Sequence, residues 1–166
     1  MSDHQEAKWK NLRLRAIEGL RKGDSFTVSR TFSMDDIHQF ARISRDYNPV
    51  HLDVPYAELR NFRAPISHGL LTASLLTEIG GQIGWLASGM SFRFKRPVYV
   101  GETITCRWTI IDIDERGRAR AEITIIDPEG AIVLEAETTG ILPGEKERAR
   151  LAEMVAEGDP TNGASY

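Results

Sequence analysis

The chain has 166 residues, 41% hydrophobic and 27% charged, which fits one globular domain with a real core and excludes a disordered or fibrous chain. Its net charge is only −3, from 21 basic and 24 acidic residues, so no global field draws it to nucleic acid or to an anionic membrane. The single cysteine, Cys106, rules out an intramolecular disulfide, and no apolar run nears the ~20 residues that span a bilayer.

The opening MSDHQEAKWK lacks the apolar stretch of a secretory signal, and with one cysteine in an apolar run the expected compartment is the reducing cytoplasm. Residues 8 to 21 carry Trp9, Leu12, Ala16, Ile17 and Leu20 at helical spacing, with Gly23 as the expected stop. DSFTVSRTF then alternates Phe26, Val28, Arg30 and Phe32 against Thr27, Ser29 and Thr31, the pattern of a short strand that Arg30 interrupts. Ser33 followed by Asp36 is a helix-start signal, and Ile37, Phe40, Ala41 and Ser44 give the helix 34 to 45 one buried stripe. Pro49 disfavours helical geometry in the residue before it, so 46 to 51 form an exit loop.

A short helix is expected over 55 to 62, with Pro55 in its first turn. HGLLTASLLTEIGGQIGWL is apolar nearly all round and belongs inside the protein, with Gly80, Gly81 and Gly84 weakening its far end. From residue 89 the period becomes two, through Phe92 and Phe94, Ile104 to Ile110, Ala119 to Ile125, and Ile132 to Ala136. The links DERG and DPEG are turn chemistry, so these strands form an antiparallel meander with one wet face. EKERARLAEMVAEG suits a charged helix, and DPTNGASY a frayed end. An early strand, a buried helix and a later antiparallel sheet give an α+β fold in which the helix covers the sheet.

Asp46 and His51 stand five residues apart across the turn that Asn48-Pro49 imposes. One reading is structural, with Asp46 capping the turn and His51 bonding the loop. The other is chemical: a carboxylate and an imidazole folded toward one point share a water, take a proton from it and deliver one to carbon. His68 and Gly69 open the buried helix. The plainer reading is a core histidine beside a helix-start glycine. The functional one is that Gly69, lacking a side chain, lets a substrate oxygen approach a backbone N–H at the positive helix end; no proton-transfer role is assigned to His68. No H-x-x-x-H or C-x-x-C suggests a metal, no G-x-S-x-G a hydrolase elbow, and no G-x-x-x-x-G-K-[ST] a phosphate loop. Arg93, Lys95 and Arg96 suit a solvated strand or the phosphates of a nucleotide-like carrier.

Taken together, FARISRDYNPVHLD, FRAPISHGLLTASLL and FRFKRPVYVGETI resemble the MaoC-like dehydratase family, which includes the R-specific enoyl-CoA hydratases. The resemblance runs from about residue 24 to 142, leaving 1–23 as an N-terminal helical extension and 143–166 as a charged tail. It implies a hot-dog fold, an antiparallel sheet wrapped around a long central helix. It also implies that Asp46 and His51 are the catalytic pair, that Asn48 shapes their turn, and that the Gly69 N–H faces a thioester oxygen. Ser74 and Thr77 would lie on the substrate side of the helix, with Thr77 bonding Asp46, and Tyr47 would narrow the pocket. The implied reaction is reversible hydration of a trans-2-enoyl thioester carried on CoA or acyl-carrier protein, in a homodimer or larger homo-oligomer, with no metal, flavin or nicotinamide. A hot-dog thioesterase and a non-catalytic acyl-binding subunit are the competing readings.

Overall fold

The computed structural model describes residues 3–159, and the side chains from residue 11 onward. The expected frayed end from Pro160, and the placement of the Trp9 side chain, lie outside the described residues. In chain order the elements are α1 (Asp3–Glu18), β1 (Ser25–Thr31), α2 (Met34–Ser44), a 3-10 turn (Pro49–His51), α3 (Val54–Leu59) and α4 (Gly69–Gln82). There follow β2 (Leu86–Phe94), β3 (Thr103–Ile113), β4 (Arg118–Ile126), β5 (Ile132–Ile141) and α5 (Glu145–Ala156).

The five strands form one antiparallel sheet in the order β1-β3-β4-β5-β2. Alternation puts Phe26 and Val28, Ile104 to Ile110, and Ala119 to Ile125 on one face, where they are buried. α4 lies against β1, β2 and β3 and buries Leu71, Leu75, Leu76 and Ile79 among them. This is the hot-dog arrangement that the motifs lead one to expect. Arg30 breaks the alternation of β1 for a reason: it shares the core-side register, and its Nη2 donates to Glu78 Oε2 on α4 at 2.8 Å. An ion pair thus joins the sheet to the helix where a hydrophobe would otherwise stand.

α2 begins as its sequence dictates. The Ser33 hydroxyl accepts from the Asp36 N–H, and the Asp36 carboxylate accepts from the Ser33 N–H, satisfying two otherwise orphaned donors.

Several boundaries differ from expectation, and α1 already begins at Asp3, ahead of residue 8. α1 stops at Glu18 rather than running to residue 21, because Gly19 turns the chain with φ +97° ahead of Gly23. α3 spans Val54–Leu59 rather than 55 to 62. β2 starts at Leu86, earlier than residue 89, because α4 ends at Gln82 and Gly84, with φ +70°, redirects the chain at once. The alternation of Phe92 and Phe94 with charges yields only a partly covered face: Phe92 packs half-buried against the core and α4 touches β2, but Leu86, Met90 and Phe94 are exposed along this edge strand.

α1 and the residue that follows α5 meet beside the far end of α4. Arg13 of α1 and Asp159 after α5 are buried, with Nε and Oδ2 3.3 Å apart, and Arg13 Nη2 reaches Gln82 Oε1 at 3.5 Å. Removing one member of a buried ion pair leaves the other charge desolvated, which typically costs about 3–5 kcal/mol. Arg13→Ala is therefore expected to lower the urea unfolding free energy by roughly that amount. An unchanged midpoint and slope would show that the pair holds nothing.

Candidate active site

The segment after α2 is built by short-range bonds. Arg45 ends the helix in the left-handed region at φ +63°, which turns the chain away from the helix axis. Asp46 follows, its N–H donating to Ser44 Oγ at 3.2 Å and its Oδ1 accepting the Asn48 N–H at 3.1 Å. Asn48 in turn caps the 3-10 turn, its Oδ1 accepting from the Val50 N–H at 3.2 Å. The loop preceding α4 is tied to this turn through Ile66 N–H to the Val50 carbonyl, and to the 97–99 segment through Ser67 N–H to the Val98 carbonyl. All three sequence motifs thus converge on one place.

His51 is buried, and its Nδ1 lies 2.8 Å from the Ile66 carbonyl. A carbonyl only accepts, so Nδ1 carries the proton and Nε2 presents a lone pair. That Nε2 lies 3.8 Å from Asp46 Oδ2, whose side chain is 48% exposed. The structural and chemical readings of the pair therefore hold together, each on a different atom. Oδ1 and Nδ1 are anchored to the backbone, and Oδ2 and Nε2 are left facing one another across a gap too long for a direct hydrogen bond and suited to a bridging water.

Gly69 is the first residue of α4, so its N–H is among those a helix leaves without an internal partner. It lines a cleft of about 470 Å³ whose other walls include His51, Phe62, Thr72, Phe94 and Val133, with Lys95 and Arg96 also among its lining. Glycine leaves this space open: a Cβ would stand 2.9 Å from the exposed Phe94 ring and would have to push it aside. Thr72, buried one turn after Gly69, was not foreseen; a polar residue three positions along a helix from a site glycine is the signal that finds it.

The remaining expected residues fall elsewhere. Thr77 does not bond Asp46: its hydroxyl donates to the Ser74 carbonyl at 2.7 Å, and Ser74 to Leu71 at 2.6 Å, so both hydroxyls serve their own helix. Neither lines the cleft, and Tyr47, half exposed, is not among its walls in the single chain. Arg93 belongs to the outer face of the sheet.

Asp46, His51 and His68 bring one ligand-type atom each within 4.8 Å of one another, so the fold unites histidines that are far apart in sequence. The two rings, however, lie against one another with centroids 3.9 Å apart and planes tilted by 30°. In-plane lone pairs on rings so close and so little tilted do not converge, which is poor geometry for a shared ion at ~2.0–2.1 Å.

Cys106 is fully buried in β3, and burial, aided by the charge of Glu78, pushes its thiol up to about 12. The native protein is expected to resist aromatic disulfide reagents and to release one equivalent only on denaturation; prompt labelling of the folded protein would contradict this packing.

The profile of the MaoC like domain matches residues 20–127. The chain is 31% identical over 137 residues to an (R)-specific enoyl-CoA hydratase from Rhodospirillum rubrum, covering 80% of this chain and 95% of that one. It is 32% identical over 133 residues to the (R)-specific enoyl-CoA hydratase of Aeromonas caviae, covering 77% and 99%. The solved structure of the (R)-hydratase from A. caviae superposes with a TM-score of 0.71 at 33% identity, over 76% of this chain and 99% of that one. α1, β5 and α5 lie outside the matched residues, whereas the turn that carries Asp46 and His51, the start of α4 and the 92–104 segment lie inside them. The chain belongs to the MaoC-like domain family.

Proposed function

We propose that the protein is an enoyl-thioester hydratase, adding water to a trans-2-enoyl-CoA to give an (R)-3-hydroxyacyl-CoA and catalysing the reverse dehydration. One observation carries this reading above the others: Asp46 Oδ2 and His51 Nε2 face each other at 3.8 Å, each side chain held by its other polar atom, beside a cleft that includes the free end of α4. The relatives' names supply the thioester substrate and the R hand.

The chemistry follows from that geometry. A water between the two groups donates to the carboxylate and to the imidazole lone pair. As its oxygen bonds to the β-carbon, one proton passes to the pair, and the carbonyl electrons move onto the oxygen that the Gly69 N–H receives. When the enolate collapses, the pair returns a proton to the α-carbon. One water is consumed, the pair ends as it began, and no net change in oxidation state calls for a redox cofactor. Lys95 and Arg96 give the cleft mouth positive charge that suits a phosphate-bearing carrier, although Lys95 also pairs with Glu135 at 3.0 Å.

In this reading residues 24–142 hold the chemistry, and α1 and α5, in the segments on either side, pack on one another and serve the fold. The active form is a homodimer, because β2 leaves an unpaired edge bearing Leu86, Met90 and Phe94 that a second copy would cover. Sedimentation equilibrium at micromolar protein is expected to give twice the chain mass; a monomer at every concentration would refute the dimer. None of the described helices is long and apolar enough to cross a membrane, and a water-filled compartment such as the cytoplasm is its proposed setting.

The activity is tested with purified protein and crotonyl-CoA alone. Loss of enoyl absorbance without release of thiol supports hydration. Thiol release identifies a thioesterase, and no conversion a binding subunit; either result defeats the proposal.

A further inference from the structure

His68 touches both members of the reactive pair, the backbone carbonyl of Asp46 and the ring of His51, and the chemistry proposed above gives it nothing to do. It precedes Gly69 at the start of α4 and is 1% exposed. Its Nε2 lies 3.0 Å from the backbone carbonyl of Asp46, which can only accept, so the Nε2 nitrogen carries the proton. Its Nδ1 is buried with no hydrogen-bond partner among the described residues, so a proton there would be stranded; both nitrogens indicate the same tautomer. One face of the ring lies against His51 at 3.9 Å, and Phe40 of α2 closes on it at 5.0 Å with planes tilted 54°.

We propose that His68 is a positioning residue for the hydration reaction, its Nε2–H fixing the Asp46 backbone and its ring face fixing the plane of the His51 imidazole. Both restraints are needed. Asp46 follows a left-handed residue on a short loop, and apart from His68 it is held only by bonds to Ser44 and Asn48, its neighbours two residues away. His51 has a single ring hydrogen bond, to Ile66, and one such bond leaves the ring free to rock about it. A flat side chain stacked against it removes that freedom. Because His68 is also the residue before Gly69, the same side chain ties the acid and the base to the helix end that receives the carbonyl oxygen. Burial holds its imidazole below the ordinary value; the Asp46 backbone bond opposes this shift, the His51 charge adds to it, and the Asp46 carboxylate opposes it. The ring accordingly stays neutral and keeps one N–H.

This inference rests on the proposed hydratase activity, and the test separates the two. Wild type, His68→Leu, His68→Gln and His68→Phe are compared in kcat and KM with crotonyl-CoA and in thermal unfolding. Displacement of a reacting group by about 1 Å can cost on the order of 10²-fold, so His68→Leu is expected to lower kcat about 10- to 100-fold with KM changed less than about threefold. His68→Gln, which keeps an N–H for Asp46, and His68→Phe, which keeps a ring against His51, are each expected to recover part of that loss. Full kcat in His68→Leu overturns the proposal. So does an equal loss in all three variants, which marks a residue that only fills space. If wild type does not hydrate the thioester, the activity fails first, and nitrogen-15 NMR of the histidines in wild type then decides the geometry. The expected pattern at neutral pH is His68 protonated on Nε2 and His51 on Nδ1. His68 protonated on Nδ1 removes the bond to Asp46 and overturns the proposal, and the same measurement serves if the variants do not fold.

Discussion

Asp46→Asn and His51→Ala are each expected to lower kcat for crotonyl-CoA hydration by about 10²- to 10⁴-fold, the usual range for loss of general acid–base help. Asn keeps the Oδ1 atom that accepts the Asn48 N–H, so the turn survives while the charged oxygen facing His51 is lost. Ala at position 51 removes both the lone pair and the bond to Ile66, which also loosens the tie between the 3-10 turn and the loop before α4. The double variant should lose little more than the worse single one, because the two groups act on one water and their effects are not additive. Steady-state kinetics on the folded variants checks this. Either single variant turning over at the wild-type rate would remove that residue from the chemistry.

Gly69→Pro is expected to lower kcat by about 10²- to 10³-fold relative to Gly69→Ala, the loss typical of one oxyanion donor. The comparison is possible because of where Gly69 stands. The first helical position tolerates proline, and His68 before it, at φ −58° and ψ 138°, already has the extended geometry that a following proline demands. Proline therefore deletes the N–H without breaking α4. Alanine keeps the N–H and serves as the steric control, since its Cβ would stand 2.9 Å from the Phe94 ring and must move that ring aside. Both variants share the crowding, and only one loses the donor. Equal rates would mean that the helix end does not receive the carbonyl oxygen.

Local signals carried far in this chain. Ser33 and Asp36 form the capping box that their spacing announces, Asn48-Pro49 makes the turn that brings Asp46 to His51, and of the stripe expected on α2 Ile37 and Ala41 are buried, Phe40 partly so and Ser44 exposed. These depend on residues within a few positions, which is why they are legible. The misreadings depend on partners distant in sequence. Whether Gly19 or Gly23 ends α1 is decided where Gly19 packs near Arg148 of α5. Phe92 and Phe94 carry the period of a covered strand, but at the sheet edge only Phe92 is partly covered by the core and Phe94 stays exposed. Arg30 looked like a flaw in β1 because Glu78, 48 residues away, cannot be matched to it from the pattern alone.

The site divides in the same way. Asp46, Asn48, His51 and Gly69 stand in contiguous motifs whose resemblance to a family assigns them roles, and the fold brings the pair together beside the start of α4. The family resemblance points to Ser74 and Thr77 as well, yet their hydroxyls bond the carbonyls three residues back in their own helix. The sequence assigns Thr72 nothing and His68 no proton-transfer role, because their contacts, the cleft wall and the Asp46 carbonyl, exist only once α4 is docked against the 3-10 turn.

A high-resolution crystal structure of the unliganded protein tests the central geometry most directly. The account predicts one ordered water within about 2.6–3.2 Å of both Asp46 Oδ2 and His51 Nε2, open to the cleft beside Gly69. Those two atoms turned apart, or each engaged by some other protein group with no water between them, would contradict it.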